Sequence, residues 1–129
     1  MATESAGFHE PENRLTDHTK DMHRALVSLQ EELEAVDWYQ QRVEGSTDAE
    51  LKAILAHNRD EEKEHAAMLL EWLRRADPSF ASHMKQYLFQ EGSIVVREHA
   101  DTAEARPATG AVSEAASGLT VGSLMGVRK

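Results

Sequence analysis

Glu62-Lys63-Glu64-His65 is a Glu-x-x-His pair, and on a helix its i, i+3 spacing sets a carboxylate and an imidazole one turn apart on the same side, able to grip one ion. Alone on a charged helix, such a pair is ordinarily part of a solvated face. Here it falls within a seam, Leu51, Leu55, Asn58, Glu62, His65, Leu69 and Trp72, whose alternating steps of four and three are those of buried positions in packed helices. A glutamate turned into a helix interface without a partner either destabilises the fold or becomes neutral, so something must compensate Glu62. The preceding stretch offers Glu32, three residues after Leu29 and four before Val36, at the edge of an apolar face. Di-iron carboxylate sites in four-helix bundles take a Glu from each of two helices and a Glu-x-x-His from each of the other two. This chain holds one of each, so a two-fold pair of chains would supply the whole set, with the metals on or near the symmetry axis. Hard carboxylates with one imidazole per metal suit iron and exclude cuprous copper. There is no cysteine, which removes disulfides and thiolate sites. Two readings of other classes stand beside this one: a non-catalytic adapter whose buried polar residues only fix the register of a helical dimer, and a protein that binds metal without turning it over.

The elements that must position these residues read as all-α. From Pro11 to Glu44, Leu15, Met22, Leu26, Leu29, Leu33, Val36 and Val43 line one helical face. Gly45 is expected to close that helix in the left-handed conformation. Thr47 and Glu50 have capping-box spacing and predict the start of a second helix, running to about Ala76. So short a connection predicts an antiparallel two-helix hairpin. Asp77-Pro78 signals a third, shorter C-terminal helix over Pro78–Phe89, with Gly92 just beyond. The predicted organisation is a polar, disordered N-terminus over 1–10, a helical domain over 11–92, a flexible Ala/Gly/Ser/Thr-rich linker over 93–118 and an apolar tail over 119–129. Ile94, Val95 and Val96 form an apolar island in that linker with no role legible from spacing.

Other chemistry-bearing residues group less tightly. His57, Glu61 and Glu64 follow one another at i, i+4 and i+7 on a flank of the second helix, spaced for an outer cation site or simply for a solvated charged face. Glu31 and Glu34 lie off the apolar stripe of the first helix, as surface carboxylates or as an antechamber that hands cations to the site. Trp38 and Tyr39 read as packing aromatics; Tyr39 also follows Glu32 and Val36 along one face, which leaves open a hydrogen bond from its phenol to a ligand. His18, His23, His83 and His99 show no metal-ligand grouping.

Composition narrows the partners. The formal net charge is −9, and residues 1–92 hold 19 acids against 10 bases while residues 93–129 hold 4 of each. A negative surface repels nucleic-acid phosphates and anionic lipid and concentrates cations, so no nucleic acid and no membrane is expected as a partner. No apolar run has the length of a membrane span and no hydrophobic signal region opens the chain, which makes the expected location cytoplasmic. With 40% apolar and 29% charged residues in 129, any core is narrow, and oligomerisation is the ordinary route to adequate burial.

The stretch from Met22 to Leu73 resembles the encapsulated ferritins, two-helix ferritin relatives packaged inside encapsulin nanocompartments. The resemblance is carried by Glu31-Glu32-Leu33-Glu34-Ala35-Val36-Asp37-Trp38-Tyr39 and by Ile54-Leu55-Ala56-His57-Asn58-Arg59-Asp60-Glu61-Glu62-Lys63-Glu64-His65-Ala66-Ala67-Met68, and extends more weakly from His9 to Gly92. It implies a hairpin that dimerises into a ferritin-like four-helix bundle, five such dimers forming a ring, a decamer. It implies a ferroxidase that oxidises Fe²⁺ to Fe³⁺ with dioxygen at a di-iron centre shared between two subunits, for iron storage inside the shell, since an open ring cannot hold a mineral. By the same resemblance Glu32, Glu62 and His65 are the centre's ligands, Tyr39 lies near it and Trp38 beside the path into it. Glu31 and Glu34 match the gateway for cations, and His57, Glu61 and Glu64 match an outer metal site, where calcium or another divalent cation would sit. Leu119-Thr120-Val121-Gly122-Ser123-Leu124 resembles the short peptides by which cargo docks to the inner wall of an encapsulin shell: apolar anchors at alternating positions on a flexible tether.

Overall fold

The computed structural model describes residues 6–98. Glu12–Arg14 form a single 3-10 turn, closed by Arg14 N–H donating to the Pro11 carbonyl at 2.9 Å. The long helix α1 then runs Asp17–Gly45. Its start is later than the apolar pattern implied, because Thr16 is extended and its hydroxyl accepts from the Thr19 N–H at 3.1 Å. A side chain that satisfies a free backbone donor fixes the helix boundary there, and Asp17 in the first turn complements the dipole.

α1 ends differently from the expected left-handed glycine. Gly45 is its last helical residue, Gly92 is the sole glycine with positive φ among the described residues, and the chain leaves through an extended Ser46 whose N–H donates to the Arg42 carbonyl at 3.0 Å. The second long helix α2 spans Ala49–Ala76, and its N-cap is Asp48, not Thr47: Asp48 Oδ1 accepts from the Leu51 N–H at 2.8 Å. A carboxylate satisfies that donor and also meets the positive end of the dipole, so the acid one residue further on displaces the predicted Thr47–Glu50 box. Ser46 Oγ accepts from the Asp48 N–H, tightening the connection. α1 and α2 pack on each other as the antiparallel hairpin that the short link requires.

The hairpin buries less than its seam suggested. The buried apolar residues of the described chain are Ala25, Ala66 and Leu73. On α2 the innermost track runs through Arg59, Glu62, Ala66, Leu69 and Leu73, while Leu51 (46% exposed) and Trp72 (41%) of the predicted seam stand at its open edge. Ile54, Met68 and Leu33 are exposed as well. Two helices can cover only one side of each other, so an apolar face wider than the contact line is left half open.

The chain divides at Pro78 and Ser79 into two compact units. Helix α3, Pro78–Tyr87, belongs almost wholly to the second and stops short of the expected Phe89. Leu88 N–H still bonds the Met84 carbonyl, but Phe89 takes φ 60° and Gly92 φ 87°, left-handed geometry that ends a helix. Residues 94–98 are helical again, where the sequence offered no periodicity. They are tied to α3 by the nearly buried Gln86, whose amide donates to the Arg97 carbonyl at 3.3 Å while Arg97 Nε donates to the Gln86 carbonyl at 3.4 Å. The remainder of the linker, His99 and the Leu119–Leu124 tail lie outside the described residues. No helix among those described is long and apolar enough to cross a membrane.

Candidate metal centre

Glu32 projects from the middle of α1, and Glu62 and His65 project from the middle of α2, one turn apart. Antiparallel packing brings them to one place: a ligand atom of each lies within 4.8 Å of the others. His65 Nδ1 is 3.0 Å from Glu62 Oε1 and 3.8 Å from Glu32 Oε1. The carboxyl side chains keep 26% and 22% of their surface exposed and the imidazole 49%. The three thus form a partly sheltered cup on the hairpin.

Each side chain responds to the other two. The hydrogen bond with Glu62 is the first cause lifting the Glu32 carboxyl above its usual range, with burial and the Glu62 charge adding to it. Glu62 is held down, first by the bond from Glu32 and then by that from His65. Its bond to Glu62 raises the His65 imidazole. Two carboxylates so close resist ionising together unless positive charge joins them, and a proton shared between them or a cation serves equally. Hard oxygens with one imidazole form a donor set suited to ferrous iron, manganese or zinc. The described residues of one chain bring three ligand side chains together, too few to close the coordination sphere of an octahedral ion.

The other candidates do not join the cup. His57 Nε2 pairs with Glu61 at 3.0 Å, but Glu64 does not complete a trio with them; among the described residues, Glu32, Glu62 and His65 are the one group of three. Glu31 and Glu34 are exposed on α1. Trp38 is half exposed and lines, with Gln41 and Arg42, an open hollow of about 470 Å³. Tyr39 sits two turns along α1 from Glu32 with the Arg42 guanidinium 5.4 Å over its ring. His23 packs against Phe8, ring centroids 4.8 Å apart, and His18 and His83 are exposed. Arg59 escaped the sequence reading: it lies three residues before Glu62 on the same inner track and crosses the hairpin to Gln40, donating to its Oε1 at 2.7 Å. The i, i+3 spacing from Glu62 was the signal that could have found it.

Residues 7–91 match the EncFtn-like family. The chain belongs to that family. The encapsulated ferritin-like protein of Rhodospirillum rubrum is 57% identical over 98% of this chain and 93% of its own length. The ferritin-like protein of Thermotoga maritima is 54% identical over 67% of this chain and 76% of its own. Encapsulin nanocompartment cargo protein EncC of Myxococcus xanthus is 32% identical over 91% and 94% of the two chains. A crystal structure of a Nitrosomonas europaea protein superposes with TM-score 0.66 at 66% identity, covering 68% of this chain and 97% of that one.

Proposed function

We propose that this protein is a ferroxidase that oxidises Fe²⁺ to Fe³⁺ with dioxygen at a di-iron centre built by two copies of the chain, and that it stores iron as cargo of an encapsulin nanocompartment. The observation that carries the reading is the Glu32–Glu62–His65 cup within 4.8 Å, on a hairpin whose α2 also leaves Leu51, Ile54, Met68 and Trp72 exposed. Apolar surface of that extent beside half a ligand set favours a second copy, which buries the one and completes the other. Each ferrous ion is a substrate giving up one electron to dioxygen. The carboxylates of Glu32 and Glu62 bind it and offset the charge that rises with its valence, and His65, neutral on Nε2 or Nδ1, supplies the nitrogen donor. Binding competes with protons at Glu32 and His65, both of which their surroundings make better proton acceptors than free side chains.

In this reading Tyr39 and Trp38 border the route to the centre, Glu31 and Glu34 collect cations ahead of it, and His57, Glu61 and Glu64 bind calcium or a similar cation at the outer surface. The dimers assemble into a decamer, and Leu119–Leu124 anchors the assembly to the shell wall in the cytoplasm. That the Rhodospirillum relative is an encapsulated ferritin-like protein and the Myxococcus relative an encapsulin nanocompartment cargo protein supports the last step. Oxygen uptake on adding Fe²⁺ to the full chain tests the enzyme reading: uptake above the protein-free rate is expected, and none would leave only a metal-binding protein or an adapter.

A further inference from the structure

Arg59 and Glu62 lie three residues apart on the same track of α2, and their side chains are about equally sheltered, 21% and 22% exposed. That is the spacing at which an arginine and a glutamate on a helix normally pair. They do not do so here. Arg59 Nε donates to Asp60 Oδ1 at 2.9 Å and its Nη1 donates to Gln40 Oε1 across the hairpin at 2.7 Å. Gln40 is itself fixed, because its amide nitrogen donates to Glu44 Oε2 at 2.7 Å and so turns its oxygen toward the guanidinium. Glu62 bonds His65 instead. Electrostatically too, Arg59 serves its captor: the bond from Arg59 is the first cause depressing the Asp60 carboxyl, whereas the causes acting on Glu62 are Glu32 and His65.

We infer that Gln40 and Asp60 hold the Arg59 guanidinium off Glu62 and thereby keep the Glu32–Glu62 carboxylate pair available to a divalent cation. A guanidinium released from both has the sheltered Glu62 carboxylate one helical turn away to bond, and an incoming cation would then have to displace it. Gln40, Asp60 and Arg59 are positioning residues here, none of them a ligand. The inference rests on reading the cup as a metal site.

The test uses Co²⁺, which binds like Fe²⁺ without turning over, titrated into the full-length protein with the oligomeric state followed by sedimentation. Gln40→Leu with Asp60→Asn should raise the Co²⁺ dissociation constant by about three- to tenfold, the effect of one competing charge-assisted bond at a half-sheltered site. Adding Arg59→Met, which keeps the apolar stem, should restore it to within about twofold of wild type, and Arg59→Met alone should not weaken binding. Should that double variant fail to fold, Gln40→Ala with Asp60→Ser, measured with and without Arg59→Met, carries the same comparison. Unchanged affinity in the variants that free Arg59, failure of Arg59→Met to restore it, or weakened binding in Arg59→Met itself, as a mere tie between helices would give, overturns the inference. Wild type that binds no Co²⁺, or Glu62→Gln that binds as wild type does, defeats the metal-site reading beneath it instead, and the inference with it.

Discussion

Glu32, Glu62 and His65 are each placed by a different constraint, and each loss should tell. Glu32→Ala, Glu62→Ala and His65→Ala should each lower the rate of ferric absorbance growth after ferrous addition by at least about tenfold, since removing one of few ligands to a metal weakens both its binding and its reaction; three variants with wild-type rates would dismiss the assignment. The protons of the cup add a second check. Glu32 and His65 are both raised, so as pH falls they take up protons earlier than free side chains would, while the depressed Glu62 stays ionised into more acid solution. A cation must expel what they hold, so binding weakens as pH drops, and Mn²⁺ added at about pH 6 should release more protons per ion than at about pH 7.5. Equal release in a pH-stat would contradict the shared-proton picture. Glu31→Ala with Glu34→Ala should change the oxidation rate and leave ion occupancy of the cup intact, because both residues are exposed and outside the ligand trio. Loss of occupancy in a metal-soaked crystal of that variant would show the separation to be wrong.

Hairpin geometry was legible in the sequence because a helix period is redundant: many apolar positions over Leu15–Val43 and Leu51–Trp72 agree on it. The two long helices, their short link and the meeting of Glu32 with Glu62 and His65 follow from that. Ends were less legible, since each rests on one hydrogen bond and adjacent residues compete for it. Thr16 pre-empted Pro11, Asp48 pre-empted Thr47, and Ser46 made a left-handed Gly45 unnecessary. The buried track was displaced by one residue, through Ala66 and Leu73 in place of His65 and Trp72, because spacing gives the period of a face but not how its width is shared between a partner helix and open surface. Residues 94–98 gave no periodicity in so short a helix, and only the Gln86–Arg97 exchange reveals what anchors them. Replacing the observed cap, Asp48→Ala, should lower unfolding stability by about 1 kcal/mol, whereas Thr47→Ala should change it by less than about 0.5 kcal/mol. Equal effects in urea denaturation would return the cap to Thr47.

At the scale of the molecule, the described residues are short of both core and ligands, and the proposed second copy would supply both. Among the described residues the fully buried large side chain is Leu73, while Leu51, Ile54, Met68 and Trp72 on α2 remain exposed. Metal that binds only the paired form must favour pairing by linkage, so Fe²⁺ under anaerobic conditions should shift dilute protein from monomer toward dimer and larger assemblies in sedimentation, and the monomer should be inactive. An active monomer would refute the shared centre. The tail should be separable from this chemistry: a chain lacking residues 117–129 should still oxidise iron but no longer co-purify with a co-expressed encapsulin shell, and full loading of that truncation would end the cargo role of Leu119–Leu124. The shared centre itself is seen most directly by anomalous scattering at the iron edge from crystals grown without oxygen and soaked in Fe²⁺. A shared centre gives a pair of iron peaks at a contact between two copies, ligated by Glu32, Glu62 and His65 of both. Peaks held by one chain alone, or peaks away from those three side chains, would contradict it.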